Sequence, residues 1–261
     1  MPELRLVQVD AFADRPFTGN PAAVIPLDAW LPDEILQAIA MENNLSETAF
    51  TVPASDDADY ELRWFTPTTE VALCGHATLA SGHVLLEGER VRFRTRKAGL
   101  LEVRRAGDRY ELDLPETLVA PAEQPELLQA LRTPGAEGFL STRGAEATAI
   151  IRLEDEAAVR ACAPDMARLR GIELMAIVTA PGDEHDVVSR VFVPAWGVDE
   201  DPVTGSAHAA LTPFWCERLG GDSFTAFQAS RRGGLVQCRR AGERAILGGA
   251  CVTVVEGVLR F

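Results

Sequence analysis

"RWFTPTTEVALCGHATLA" (residues 63–80) and "RVFVPAWGVDEDPVTGSAHAA" (residues 190–210) are two versions of one pattern. Each opens on Arg-x-Phe-x-Pro, passes through a polar stretch containing a glutamate, and reaches a glycine that begins an Ala-rich helical run. Each follows a strand-like segment ending in proline, "AFTVP" (49–53) and "AIVTAP" (176–181). Further on, "FRTRKAGLLEV" (93–103) parallels "FQASRRGGLVQC" (227–238). Four landmarks in the same order predict an internal duplication. With two copies only, it is a pair of similar halves rather than a solenoid.

The alignment pairs residues. Cys74 matches Thr204, Gly75 matches Gly205, His76 matches Ser206, Glu70 matches Glu200, and Glu47 matches Met175. Agreement between the halves marks the fold; disagreement marks where function broke the symmetry. Glu47 is the sharpest disagreement.

Periodicity fills in the elements. "LRLVQVDAF" alternates like a strand, and "PDEILQAIAMENN" carries apolar residues at helical spacing. "GHATLASGHVLLEG" reads as a helix ending at Gly88, "PDMARLRGI" as a helix, and "GSAHAALTPFWCERLGG" as a helix. The Pro- and Glu-rich "PETLVAPAEQPELLQAL" reads as the crossover between halves.

Bulk properties narrow the function. At 261 residues, 47% hydrophobic and 25% charged, the chain is globular and long enough for two domains. A formal net charge of −14 opposes nucleic acid and anionic membrane surfaces as partners. Five cysteines with no CxxC pair argue against a disulfide framework or zinc ribbon. With no apolar leader in "MPELRLVQVD" and no membrane-length apolar run, a cytoplasmic location is expected. HExxH, EF-hand, GxGxxG and Walker patterns are missing, so neither a metal nor a nucleotide cofactor is implied.

Two glycine turns stand out. The first turn of a helix offers unpaired N–H groups and partial positive charge, and glycine allows close approach. Turns from related halves, facing across a cleft, would hold a small carboxylate; the alternative is two ordinary capped helix starts. Glu47, in "NNLSETAF", begins an apolar strand. Desolvation at such a rim lifts a carboxyl toward values suited to a general acid or base. The alternative is a loop-edge residue ending the preceding helix. His76 follows the turn glycine, Asp201 precedes Pro202 and the second turn, and Asn20 lies in the tight turn "GNPAAV". Each is a candidate substrate contact, and each has an ordinary turn or capping role as its alternative.

"VDAFADRPFTGNPAAVIPL", "NNLSETAF", "RWFTPTTEVALCGHATLA", "EDPVTGSAHA" and "QASRRGG", in this order over nearly the whole chain, resemble the PhzF-like (phenazine-biosynthesis-like) proteins. The resemblance implies an α+β, diaminopimelate-epimerase-like fold. It would have two pseudo-symmetric halves, each a curved, mostly antiparallel sheet wrapped around a central helix, with the active-site cleft between them. The last strand, "CVTVVEGVLRF", would return to the first half. The halves would then be residues 1–114, completed by 251–261, and residues 115–250.

The resemblance also assigns roles. Glu47 matches the acid/base glutamate of the family's namesake isomerase, which moves a proton within a dihydro-hydroxyanthranilate without metal or nucleotide. His76, Asp201 and Ser206 match its substrate-binding and assisting residues. Asn20, Cys74, Gly75, Thr204 and Gly205 complete the expected substrate site. The expected ligand is a small carboxylate, the expected cofactor set is empty, and a homodimer is the expected assembly. One departure matters. Related epimerases and racemases oppose two cysteines, whereas this chain offers Cys74 and Thr204, which argues against a two-thiol racemase. Two rival readings remain. One is a binding protein that keeps the cleft without catalysis. The other is a thiol enzyme or redox sensor built on Cys74 at a helix N-terminus.

Overall fold

The computed structural model describes residues 2–142 and 147–261, in two compact units: residues 1–113 with 248–261, and residues 114–247.

In the first unit the chain runs β1 (Glu3–Ala11), β2 (Asn20–Pro26), α1 (Asp33–Asn43), β3 (Glu47–Pro53), β4 (Tyr60–Phe65), β5 (Glu70–Val71), α2 (Gly75–Leu85), β6 (Arg90–Thr95), β7 (Leu100–Ala106) and β8 (Arg109–Pro115). The second unit continues with β9 (Val119–Pro121), α3 (Pro125–Leu131), β10 (Glu137–Ser141), β11 (Thr148–Arg152), α4 (Glu156–Ala161), α5 (Met166–Leu169), β12 (Met175–Pro181), β13 (Val187–Val193), β14 (Val198–Asp201), α6 (Gly205–Leu219), β15 (Ser223–Gln228), β16 (Gly234–Ala241) and β17 (Arg244–Gly249). The final strand, β18 (Cys251–Arg260), pairs antiparallel with β1, from Glu3 opposite Arg260 to Ala11 opposite Cys251.

The duplication is visible in the sheet register. β2 is parallel to β3 with Ala22 opposite Glu47, and β11 is parallel to β12 with Thr148 opposite Met175. β3 pairs antiparallel with β4, placing Phe50 opposite Arg63; β12 pairs the same way with β13, placing Val178 opposite Arg190. β4 is parallel to β6 through Leu62 and Thr95, as β13 is to β15 through Ser189 and Gln228. Thr95 therefore corresponds to Gln228, and Phe93 to Ala226. Phe93 and Phe227, which open the two parallel sequence segments, are therefore one position out of register. A slip of one residue turns a side chain to the opposite face of a strand, so the backbone pairing decides.

The shared Arg-x-Phe-x-Pro motif has a physical reason. Arg63 is buried and gives both Nε and a terminal nitrogen to Glu70, at 2.8 and 2.9 Å. Arg190 does the same to Glu200, at 2.7 and 3.0 Å. Each guanidinium lies about 5 Å over the ring two residues on, Phe65 and Phe192. The fork geometry ties the short strand before each glycine turn back to the strand before it.

Both central helices are largely enclosed, burying apolar residues together with Thr78, Ser81 and Thr212, whose hydroxyls bond back to the helix carbonyls four residues earlier. Gly75 to Gly82 of α2 are all buried, and a Cβ on Gly82 would lie 2.4 Å from Val103. In α6, Ala207 to Cys216 are buried. Pro213 interrupts its hydrogen-bond ladder, and the carbonyl of Ala209, which has no proline N–H to bond, accepts from Thr117 at 3.1 Å. α2 stops at Leu85, earlier than the expected Gly88, and "PDMARLRGI" keeps only the four helical residues of α5. The Pro-rich crossover holds β9 and the seven-residue α3, which prolines on either side of a short apolar pattern conceal in the sequence.

Candidate functional site

In the first unit four side chains converge from two strands and one helix. Asn20 is the first residue of β2 and Glu47 the first of β3, on neighbouring parallel strands. Cys74 is the N-cap of α2, and His76 lies in its first turn. The approach to Asn20 is tightly specified. Gly19 has φ +64°, and a Cβ there would lie 2.2 Å from the carbonyl of Ala11, so no other residue fits. Phe17 N–H donates to the buried Asp10 carboxylate at 2.7 Å and fixes the same turn. On β3, Asn43 donates to Thr48 at 3.1 Å and seats the strand next to Glu47.

The imidazole of His76 is the hub. Its Nδ1 lies 3.1 Å from the amide nitrogen of Asn20 and 3.5 Å from the sulfur of Cys74. Its Nε2 lies 3.1 Å from Oε2 of Glu47. The His76 side chain is 4% exposed and that of Glu47 18%, so the carboxylate is the part of the cluster open to solvent. The Nε2–Oε2 contact has ion-pair distance but lacks hydrogen-bond alignment, and both atoms are buried without a hydrogen-bond partner.

Electrostatics separate the two other groups. Burial pushes the Cys74 thiol up to about 11, the Glu47 carboxylate adds to the rise, and His76 opposes it. The thiol is therefore uncharged at neutral pH. Burial lowers the basicity of His76, but the Cys74 sulfur and the Glu47 carboxylate outweigh it and hold the imidazole well above its ordinary value. Because the thiol is neutral, we assign the upward direction to Glu47. Carboxylate oxygen, imidazole nitrogen and sulfur all lie within 4.8 Å of one another, which makes the group a set of metal-ligand types as well.

In the second unit, Thr204 is the N-cap of α6, Gly205 and Ser206 begin the helix, and Asp201 ends β14. Thr204 Oγ1 donates to the Asp201 carboxylate. Gln228, wholly buried at the end of β15, braces both. Its amide nitrogen donates to the Asp201 carbonyl at 2.7 Å and its oxygen accepts from Thr204 N–H at 2.9 Å. Ser206 Oγ lies 3.9 Å from the sulfur of Met175. The counterparts of His76 and Glu47 therefore also touch, but with a hydroxyl and a thioether in place of an imidazole and a carboxylate. Ser230 donates to the Pro202 carbonyl at 2.7 Å and accepts from Gly233 N–H, anchoring "QASRRGG" behind the turn.

The sequence reading singled out the four residues of the first cluster, and the structure brings them together. It left Gln228 unremarked, although that residue opens the quoted "QASRRGG". The remaining three histidines are committed elsewhere, His185 against the ring of Phe227 at 5.5 Å. His83 lies between Tyr110 and Thr253, and His208 Nδ1–H donates to the Thr204 carbonyl. Two open surface cavities of the second unit, about 640 and 820 Å³, are lined by none of the candidate residues.

Paired strand–helix–strand units with a buried central helix and a polar cluster at its N-terminus define the diaminopimelate-epimerase-like class of α+β proteins. Within that class the chain belongs to the phenazine biosynthesis-like (PhzC-PhzF) family, whose sequence model matches residues 9–257. Two uncharacterized isomerases of Pseudomonas aeruginosa are each 50% identical, over 270 and 266 residues. Those alignments cover 99% of this chain and 99% and 100% of theirs. The crystal structure of a PhzF-family protein from Enterococcus faecalis superposes with a TM-score of 0.91 at 42% identity, covering 100% of both chains.

Proposed function

We propose that the protein is an isomerase that moves a proton on a small carboxylate-bearing metabolite without a cofactor, with Glu47 as the acid/base group. One observation carries this reading. Glu47 Oε2 and His76 Nε2 sit side by side at 3.1 Å, buried, with no hydrogen-bond partner. Buried polar atoms are nearly always satisfied, and exceptions concentrate where a ligand supplies the missing partner. The family membership and the isomerase designation of the Pseudomonas relatives point the same way.

In this reading Glu47, as a carboxylate, takes a proton from a carbon next to an unsaturated or carbonyl group. The electron pair of the C–H bond delocalises into that system. The Glu47 carboxyl then returns the proton to another carbon of the same molecule, so no redox partner is needed. His76 stands beside Glu47 and stabilises the carboxylate before it takes the proton and after it returns it. N–H groups at the first turn of α2 hold substrate carboxylate, with Gly75 giving access. Asn20 and Cys74 complete the substrate contacts in this unit.

The thiol-enzyme alternative needs a lowered Cys74 pKa, and burial moves it the other way. The binding-protein alternative is decided by experiment. The protein is incubated in D2O with a panel of cyclic unsaturated and amino carboxylates, dihydro-hydroxyanthranilate included, and loss of C–H signal is followed by proton NMR. Catalysed exchange of one ligand proton is expected. Saturable binding with no exchange would establish a binding protein instead.

A further inference from the structure

We propose that Glu47, Cys74 and His76 form a binding site for a single divalent cation of borderline softness, zinc foremost, which occupies the acid/base carboxylate and silences it. The donor atoms lie within 4.8 Å of one another, and the carboxylate oxygen and the imidazole Nε2 are 3.1 Å apart. Both of these atoms are buried and bond to nothing else in the protein, so the proton that Nε2 carries while the imidazole is charged is all that must leave before the pair can ligate. With bonds of about 2.0–2.3 Å, ligand atoms around a four-coordinate zinc lie roughly 3.3–3.7 Å apart. The oxygen–nitrogen pair needs to open by a few tenths of an ångström. The sulfur, now 3.5 Å from Nδ1 of the same ring, must turn about the Cys74 Cα–Cβ bond to join them.

The chemistry of the set selects the ion. Magnesium and calcium take oxygen ligands throughout, whereas a mixed carboxylate, imidazole and sulfur set suits zinc and its spectroscopic stand-in cobalt. To ligate through Nε2, the ring must carry its proton on Nδ1. The side chain of Asn20 is 3.1 Å from that nitrogen. Turned by half a rotation, the same amide presents its oxygen and accepts the Nδ1 proton, the outer hydrogen bond that metal-bound imidazoles ordinarily have. On binding, the Cys74 thiol and the His76 imidazolium each release one proton to solvent; the sulfur ligates as thiolate and the ring ligates as neutral imidazole through Nε2. Three protein ligands leave the fourth position to water.

The duplication supplies a built-in comparison. The counterparts of Glu47, Cys74 and His76 are Met175, Thr204 and Ser206, which offer no such donor set. No other cluster of three metal-ligand side chains occurs among the described residues. One ion per chain is therefore expected. Binding follows from the donor atoms alone, whereas silencing rests on the acid/base reading of Glu47.

Metal-stripped protein is titrated with cobalt(II). The expected result is one bound ion per chain with a near-ultraviolet sulfur-to-cobalt charge-transfer band, which zinc displaces. Cys74→Ser should lose the band. Asn20→Ala should keep it while binding weakens roughly 10-fold or more. A titration without the band, or a band undiminished in Cys74→Ser, overturns the site. Should Cys74→Ser fail to fold, iodoacetamide labelling of the unaltered protein decides. Zinc must slow alkylation of Cys74, and an unchanged rate overturns the site. Proton exchange on a turned-over ligand that continues undiminished with the ion bound overturns the silencing and the role of Glu47, and leaves the site standing.

Discussion

Cys74 stands at a helix N-terminus, where backbone dipoles favour a thiolate, yet its thiol is pushed up to about 11. Burial is the larger cause and the neighbouring Glu47 carboxylate the next. Alkylation of Cys74 by iodoacetamide, followed by mass spectrometry, should therefore be slow at pH 7–8 and should accelerate as pH approaches 11. In Glu47→Gln the curve should move to lower pH, because a negative neighbour is gone. Rapid labelling at pH 7 would return Cys74 to the centre of the chemistry. At this scale much was legible in sequence. The mismatch of Glu47 with Met175 marked the carboxylate, and His76 was marked by its glycine. The contact between them was not legible, because it joins residues 47 and 76 through the sheet and the helix start. Gln228 was missed for a related reason. A buried amide that braces a turn 24 residues away leaves no local pattern.

The two central helices repeat one device with different side chains. Residue 78 or 208 bonds back to the N-cap carbonyl four positions earlier, through Thr78 Oγ1 in α2 and His208 Nδ1 in α6. Burial lowers the pKa of His208 to about 4, with the Thr204 carbonyl pulling weakly the other way. The unfolded chain's imidazole titrates near 6.5. The stabilisation from a neutral His208 is therefore complete above pH 6.5 and is lost as pH falls toward 4. Between pH 7 and 5 urea unfolding should register a loss on the order of 2 kcal/mol. His208→Thr, which copies α2, should remove most of that loss; an unchanged pH dependence would assign it elsewhere. In α2, Gly82→Ala should cost about 1–3 kcal/mol in the same assay, since the added methyl meets Val103. Helix periodicity exposed α1, α2 and α6 in the sequence. It did not expose α3, whose seven residues complete barely two turns.

Two related units recur along the chain, but their chemistry does not. Register, ion pairs and helix N-caps agree between them, while the carboxylate–imidazole contact of one becomes the Met175–Ser206 contact of the other. The first unit is also discontinuous, closed by β18 along the length of β1. Deleting residues 251–261 would strip β1 of one ladder, and a lower urea midpoint with light-scattering aggregates is expected. The duplication could be anticipated from sequence because repeated motifs keep their order through divergence, whereas the return of the last strand was implied only by the family resemblance. The one-residue register of β6 against β15 could not, since only backbone pairing sets it. For the molecule as a whole, the central claim is that one unit supplies the acid/base group. It is tested most directly by measuring solvent deuterium incorporation into a turned-over carboxylate by the unaltered protein and by Glu47→Gln. The account predicts that Glu47→Gln loses at least about 100-fold in exchange rate while still binding the ligand. Equal exchange rates in the two proteins would contradict it.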